Sequence, residues 1–243
     1  MSTASLVPET RGLSGEDAWT TLRRTGRRRL LVDAFARMRF SDGFSHARAL
    51  AFMITLVAIQ GIIAAVGLAE AIGGNGFTDV VAATVHGVVP GPAGQALTAA
   101  ISQAHTTASE HHYTALFFGT IGTLISATGA FGQLERALNR LYGVEQDRPA
   151  LHKYGRALML TLTAGTAATV AFLSLALGRT VFARIASGTA VTIWSVLRWP
   201  LGLVLIGAAV TLLLRTSPRR RQPQLSWLAF GAGIAVAGCG IVT

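Results

Sequence analysis

Few side chains in this sequence are placed to do chemistry, and most of them sit together in Gln133-Leu-Glu-Arg-Ala-Leu-Asn-Arg-Leu-Tyr142. On a helix, residues four apart share a face, so Glu135 and Asn139 fall on one side while Arg136 and Arg140 fall together on another. Two readings compete. In one, Gln60, Gln133, Glu135 and Asn139 line a polar path, and Arg136 and Arg140 meet an anionic head group at a membrane surface. In the other, Glu135 pairs with a nearby arginine and Asn139 caps the helix end, so that the segment is structural.

A second cluster, His105, Glu110, His111 and His112, has metal-ligand residue types but poor spacing. Adjacent histidines point to different faces of a helix, and the cluster forms no i, i+4 pair, so a wet helix cap is the expectation and no metal or cofactor is assigned. Hydrolysis of a phosphodiester would need an acid and a base converging on one phosphate, or clustered metal ligands. Asp33, Asp42, His46, Glu145, Asp147 and His152 are scattered, and no enzymatic activity is expected from them.

The elements that must position these groups are apolar. Of 243 residues 51% are hydrophobic and only 13% charged, and the uncharged ones gather into windows at Ala49–Ala69, Tyr113–Leu134, Ala157–Gly178, Trp199–Leu214 and Leu225–Thr243. Each approaches the length of about 20 residues that crosses the hydrocarbon of a bilayer at 1.5 Å per residue. The expected fold is therefore all-α: a polytopic transmembrane helix bundle with spans near 49–70, 113–135, 157–178, 193–214 and 225–243. The last window is still apolar at Thr243, so these are read as five spans of an expected six.

Charge sets the expected orientation. Nine basic residues precede the first window, five follow the second and four follow the fourth, so 18 of the 21 Lys and Arg lie in segments that alternate topology puts on one side. Ala49 to Gln133 has none, and Arg179, Arg184 and Arg198 make up the rest. This asymmetry predicts a cytoplasmic N-terminus. It also accounts for the net charge of +10 without a nucleic-acid partner; the expected partners are membrane lipids, including anionic head groups at the cytoplasmic face. The single Cys239 forms no internal disulfide and reads as a small packing residue.

Residues 1–28 read as a disordered basic tail, and 29–243 as the membrane domain. Within the domain, 29–40 has Leu30, Leu31, Ala34, Phe35 and Met38 at helical spacing among arginines, suiting an interfacial helix or a short helix packed under the bundle. Ser41 to Ser45 reads as a turn in which Ser41 or Ser45 caps the first span. In that span Gly61, Ala65 and Ala69 offer a face for close helix approach, and Gln60 either bonds a neighbouring helix or lines a polar path. Beyond it come a flexible turn at Gly73–Gly76, a short apolar segment at Val80–Val89 stopped by Pro90, and a short helix at Gly94–Ala108. Trp194 and Trp199 suit an interfacial belt with Arg198 snorkelling between them, and Pro200 is read in a first helical turn.

Three segments together resemble the YihY/virulence factor BrkB family of bacterial inner-membrane proteins, formerly mislabelled ribonuclease BN. They are Arg48-Ala-Leu-Ala-Phe52, Phe131-Gly-Gln-Leu-Glu-Arg-Ala-Leu-Asn-Arg-Leu-Tyr-Gly143, and Leu213-Leu-Arg-Thr-Ser-Pro218 followed by Gly231-Ala232. The similarity runs from about Leu31 to the end and is most specific at Leu134-Glu-x-x-Leu-Asn139. Ile54-Thr-Leu-Val57 and Pro218-Arg219 depart from the usual pattern, which points to a divergent branch of the YhjD type. The resemblance implies six transmembrane helices with both termini cytoplasmic, and a role in export or trafficking of lipids or lipid-linked envelope material. A scaffold that recruits envelope partners through its basic face is the alternative, and a membrane-bound ribonuclease the remoter one.

Overall fold

A backbone in lipid must satisfy its own polar groups, and long uncharged windows do so as helices. The computed structural model describes residues 12–71, 91–144, 146–176, 188–220 and 222–242, and among these every regular element is helical. The elements are α1 (Gly15–Thr25), α2 (Arg27–Phe40), α3 (Gly43–Ala71), α4 (Pro92–Leu141), α5 (Ala150–Leu160), α6 (Thr166–Ala176), α7 (Thr189–Thr216) and α8 (Leu225–Val242). A π-helical turn at Thr161–Gly165 joins α5 to α6 without a break. The segments Gly73–Gly76 and Val80–Val89, the first eleven residues, the end of the third expected span and the side chain of Cys239 lie outside the described residues.

Three stretches, Gly43–Leu68, Glu110–Leu141 and Thr189–Thr216, are long and apolar enough to cross a bilayer. The protein is an integral, multi-pass membrane protein, and its large apolar side chains face outward accordingly. Phe118 is 65% exposed, Ile125 68% and Val204 67%. Each would cost about 1.5–3 kcal/mol against water but nothing against lipid tails. The third and fifth expected spans are also helical; the π turn divides one, and the other forms the helix Leu225–Val242.

The tightest packing is between α3 and the second half of α4, which run antiparallel. A Cβ built on Gly67 would lie 2.5 Å from the Leu116 backbone nitrogen, and one on Gly119 the same distance from that of Ala64. Gln60 fills the notch at Gly122, where a Cβ would meet its Oε1 at 2.5 Å. Gln60, Ala64 and Gly67 make the close contacts, whereas Gly61, one of the three residues expected on that face, comes no closer to α4 than a 4.0 Å approach to Thr123, and the side chain of Ala69 lies outside the described residues. The reason is helical drift: a strict four-residue repeat rotates by about 40° per step, whereas steps of four and then three stay on one face. Threonines along these helices bond their own backbone; Thr123 donates to the Gly119 carbonyl at 2.7 Å and Thr128 to that of Leu124 at 2.7 Å.

Helix α4 bends at His111, whose φ of −139° and ψ of 56° are non-helical. The bend separates the expected outer helix from the second span, and Ala104, Ala108 and Ala115 on its two sides gather around Val66 of α3. Pro200 lies well inside α7, not in its first turn, because α7 starts at Thr189. Arg198 stacks on Trp199, its guanidinium carbon 5.5 Å from the ring centre.

At the N-terminus the expected disorder gives way to structure from Gly15 onward. Asp17 accepts from the Ser14 N–H at 2.8 Å, as in a capping box, and starts α1. Trp19 then packs edge-on against Phe230 of α8, while the Gly15 N–H donates to Ser226 Oγ at 3.0 Å. Local capping and one aromatic anchor therefore hold a segment that composition alone reads as a tail. Helix α2 buries none of its side chains and leaves Leu31, Phe35 and Phe40 exposed beside its arginines. Ser41 closes α2, its hydroxyl donating to the Arg37 carbonyl at 2.8 Å, and Ser45 lies within α3, so neither caps the first span.

Because the Gly67 contact is with backbone that cannot rotate away, Gly67→Ala is expected to lose about 1–3 kcal/mol despite the better helix propensity of alanine. Gly231→Ala, where the new Cβ meets nothing within 4 Å, should leave stability unchanged or slightly raised. Thermal unfolding of the two variants in detergent measures the difference.

Candidate functional site

The polar groups collect at one end of the bundle. Helix α4 stops there in a Schellman motif: Gly143 takes a φ of +72°, the Val144 N–H donates to the Asn139 carbonyl at 2.8 Å, and the Gly143 N–H to that of Arg140 at 3.1 Å. Arg37 of α2 supplies a further donor, its Nε reaching the Leu141 carbonyl at 2.7 Å. These bonds satisfy carbonyls that a helix end leaves open, and they join α2 to α4.

On its inward face this last turn of α4 carries Glu135 and Asn139, both fully buried. Arg148 Nη1 donates to Glu135 Oε1 at 2.7 Å and to the Ser217 carbonyl at 2.8 Å, while its Nη2 donates to the Pro218 carbonyl at 3.2 Å. Asn139 donates from Nδ2 to Asp147 at 3.1 Å and accepts the Arg219 backbone N–H at 2.8 Å. Asp147 also takes Lys153 Nζ at 2.8 Å and Arg136 Nε at 3.2 Å. Arg156 adds a bond to the Thr216 carbonyl at 2.9 Å. One knot of charge-assisted bonds therefore ties α4, the segment after it, α5 and the turn after α7.

Burial alone would raise the Asp147 pKa, but the bonds from Lys153, Asn139 and Arg136 outweigh it and hold the group at about 2. Burial raises the Tyr142 phenol, an effect that Arg220, stacked 4.7 Å from the ring centre, partly opposes.

The outward face of the same turn borders a cleft of about 590 Å³ between α2, the start of α3 and the end of α4. Arg37, His46, Arg136 and Arg140 line it, with Asp42 the acid among them. Nε2 of Gln133 lies 3.1 Å from Nδ1 of His46 at its edge. Arg136 is shared with Asp147, whereas Arg140 is exposed and has no ion-pair partner among the described residues. Such a cleft has the size and charge to take a phosphate or carboxylate head group.

The six residues expected to act together are thus divided. Glu135 pairs with an arginine, and the Asn139 side chain clasps a distant turn instead of capping its own helix. Gln60 sits in the α3–α4 interface, remote from that end. Arg136 and Arg140 line the cleft, and Gln133 reaches it only through His46. Sequence reasoning missed Arg37, His46, Asp147 and Arg148 as site members; the one available signal was the acid–base pair Asp147-Arg148 within an otherwise basic turn. His105 lies 3.7 Å from Glu70, and among the described residues no three potential metal ligands gather.

The family described as virulence factor BrkB matches residues 34–243 of the chain. No curated protein and no solved structure matches it.

Two outcomes follow from the knot. Arg148→Met leaves Glu135 buried without its partner and should cost about 3–5 kcal/mol, with Glu135→Leu added to it restoring only part because the Ser217 and Pro218 carbonyls stay unserved. Asp147 has a lowered pKa, so its contribution is complete above the unfolded value of about 3.9 and is lost as pH falls toward about 2. The unfolding temperature in detergent should therefore drop between pH 4 and pH 2 in the natural protein, and Asp147→Asn should remove that part of the dependence.

Proposed function

The chain belongs to the virulence factor BrkB family, and on that premise we propose that it moves, or assists the export of, lipids or lipid-linked envelope components across a bacterial inner membrane. The basic end faces the cytoplasm, by the rule that positive loops stay inside. Five helices span in this reading, α5 and α6 forming the third and α8 the fifth. The chain carries out no catalytic step; its task is to bind and pass an amphiphile.

The observation that carries the reading is Arg140, an exposed guanidinium without an ion-pair partner among the described residues, in a cleft at the end of α4 where its apolar stretch stops. Arg136 and the edge formed by His46 and Gln133 complete the contact. Arg37, tied to α4, holds the opposite wall. An anionic head group that enters between α2 and α4 leaves its tails free to follow the exposed apolar faces of α3 and α4.

One basic residue near a membrane surface contributes about 1 kcal/mol to binding an anionic lipid, equivalent to about fivefold in affinity. Arg140→Ala is expected to weaken binding of phosphatidylglycerol to the reconstituted protein by that factor, and Arg140→Lys to keep most of it. Movement of a labelled phosphatidylglycerol between leaflets of vesicles should fall in parallel; unchanged binding and flux in Arg140→Ala would remove the cleft from the mechanism.

A further inference from the structure

A second opening lies between α7 and α8. It is a groove of about 670 Å³ whose walls include Gly207, Ala208 and Thr211 on α7 and Ala229 and Gly233 on α8, with Arg215 at one end. A Cβ built on Gly207 or on Gly233 meets nothing within 4 Å, so these two glycines are not used for close helix approach. The Thr211 hydroxyl donates to the Gly207 carbonyl at 2.7 Å, which leaves the wall between them apolar.

Length and charge both point to an occupant. From Val204 to Arg215 the groove follows eleven helical steps, about 16 Å, close to half of the roughly 30 Å hydrocarbon thickness. It is therefore one leaflet deep. Its charged end is the end of α7 where the Thr216 and Ser217 carbonyls join the ionic knot, the level at which head groups of that leaflet lie. Arg215 is exposed there and has no ion-pair partner among the described residues. Ser226, beside it on α8, is held by the Gly15 N–H, so α1 closes one side of the mouth.

We propose that this groove holds an anionic phospholipid of the leaflet at the basic end, with one acyl chain between α7 and α8 and its phosphate on Arg215. The site is separate from the Arg140 cleft. The lipid acts as a packing element for two helices whose small residues leave a gap, so it is retained and not transported.

Native mass spectrometry of the full chain, released from nanodiscs of phosphatidylglycerol and phosphatidylcholine, tests the proposal. The natural protein should keep one phosphatidylglycerol in preference to phosphatidylcholine. Arg215→Gln should reduce that preference about fivefold, while the groove-filling pair Gly207→Leu and Gly233→Leu should abolish retention. Gly207→Val alone, milder and open to the same reading, should lower it if the pair proves unstable. Arg140→Ala should leave this retention unchanged, which separates the site from the transport cleft. Equal retention of both lipids, retention unaffected by filling the groove, or loss of a dimer in place of a lipid on filling it would each overturn the proposal.

Discussion

The contact between Arg148 and Glu135 is the constraint on which the basic end depends. An isolated charge at this depth is expensive, and a pair recovers that cost only if its remaining donors and acceptors find partners. Arg148 meets the condition on its own side by spending further N–H groups on the Ser217 and Pro218 carbonyls, which lie at the end of a different helix, while Glu135 Oε2 stays buried without a partner among the described residues. A local ion pair thereby becomes a long-range tie between the middle and the last third of the chain. Asp147, its neighbour in sequence, does the same in the opposite sense by collecting Lys153, Arg136 and Asn139. The alternation of acid and base at 147 and 148 lets one short segment join several helices.

This tie determines what is left available for binding. Helix α4 has two polar faces in its last turns; the knot consumes the inner one and draws on Arg136 of the outer one. The outer one keeps Arg140 exposed because no acid among the described residues reaches it. The same turn therefore anchors the bundle and presents charge to the surface, with Arg136 shared between the two tasks and Arg140 left to the second. Glycine contacts between α3 and α4 then fix where that turn sits, since backbone at Gly67 and Gly119 cannot shift without a clash.

Much of this was legible in the sequence, and the reasons for the rest are specific. The uncharged windows gave the helices, and the split of Glu135 and Asn139 from Arg136 and Arg140 followed from helix geometry. The choice between site and structure at Glu135 was not legible, because the partner comes from a segment where Arg148 counts toward topology only as one more positive charge. Gly61 was expected in the close contact of α3, which Gln60 and Gly67 make instead, since spacing alone does not say which face meets α4. Helix α1 was taken for tail, its Trp19 being a single apolar residue whose partner Phe230 is far away in sequence.

The two openings also differ in a way that bears on mechanism. The cleft at Arg140 is walled on one side by α2, whose own side chains are unburied and whose hold on the bundle runs chiefly through Arg37 and the turn at Asp42. A helix held at one end, with Leu31 and Phe35 exposed along its length, can follow the membrane surface while its other end stays fixed. The groove between α7 and α8 has no such wall: both of its sides are helices tied to the knot or to α1. The two openings therefore differ in how their walls are tied: α2 reaches α4 through Arg37, whereas α7 joins the knot through its last carbonyls and α8 is bonded to α1.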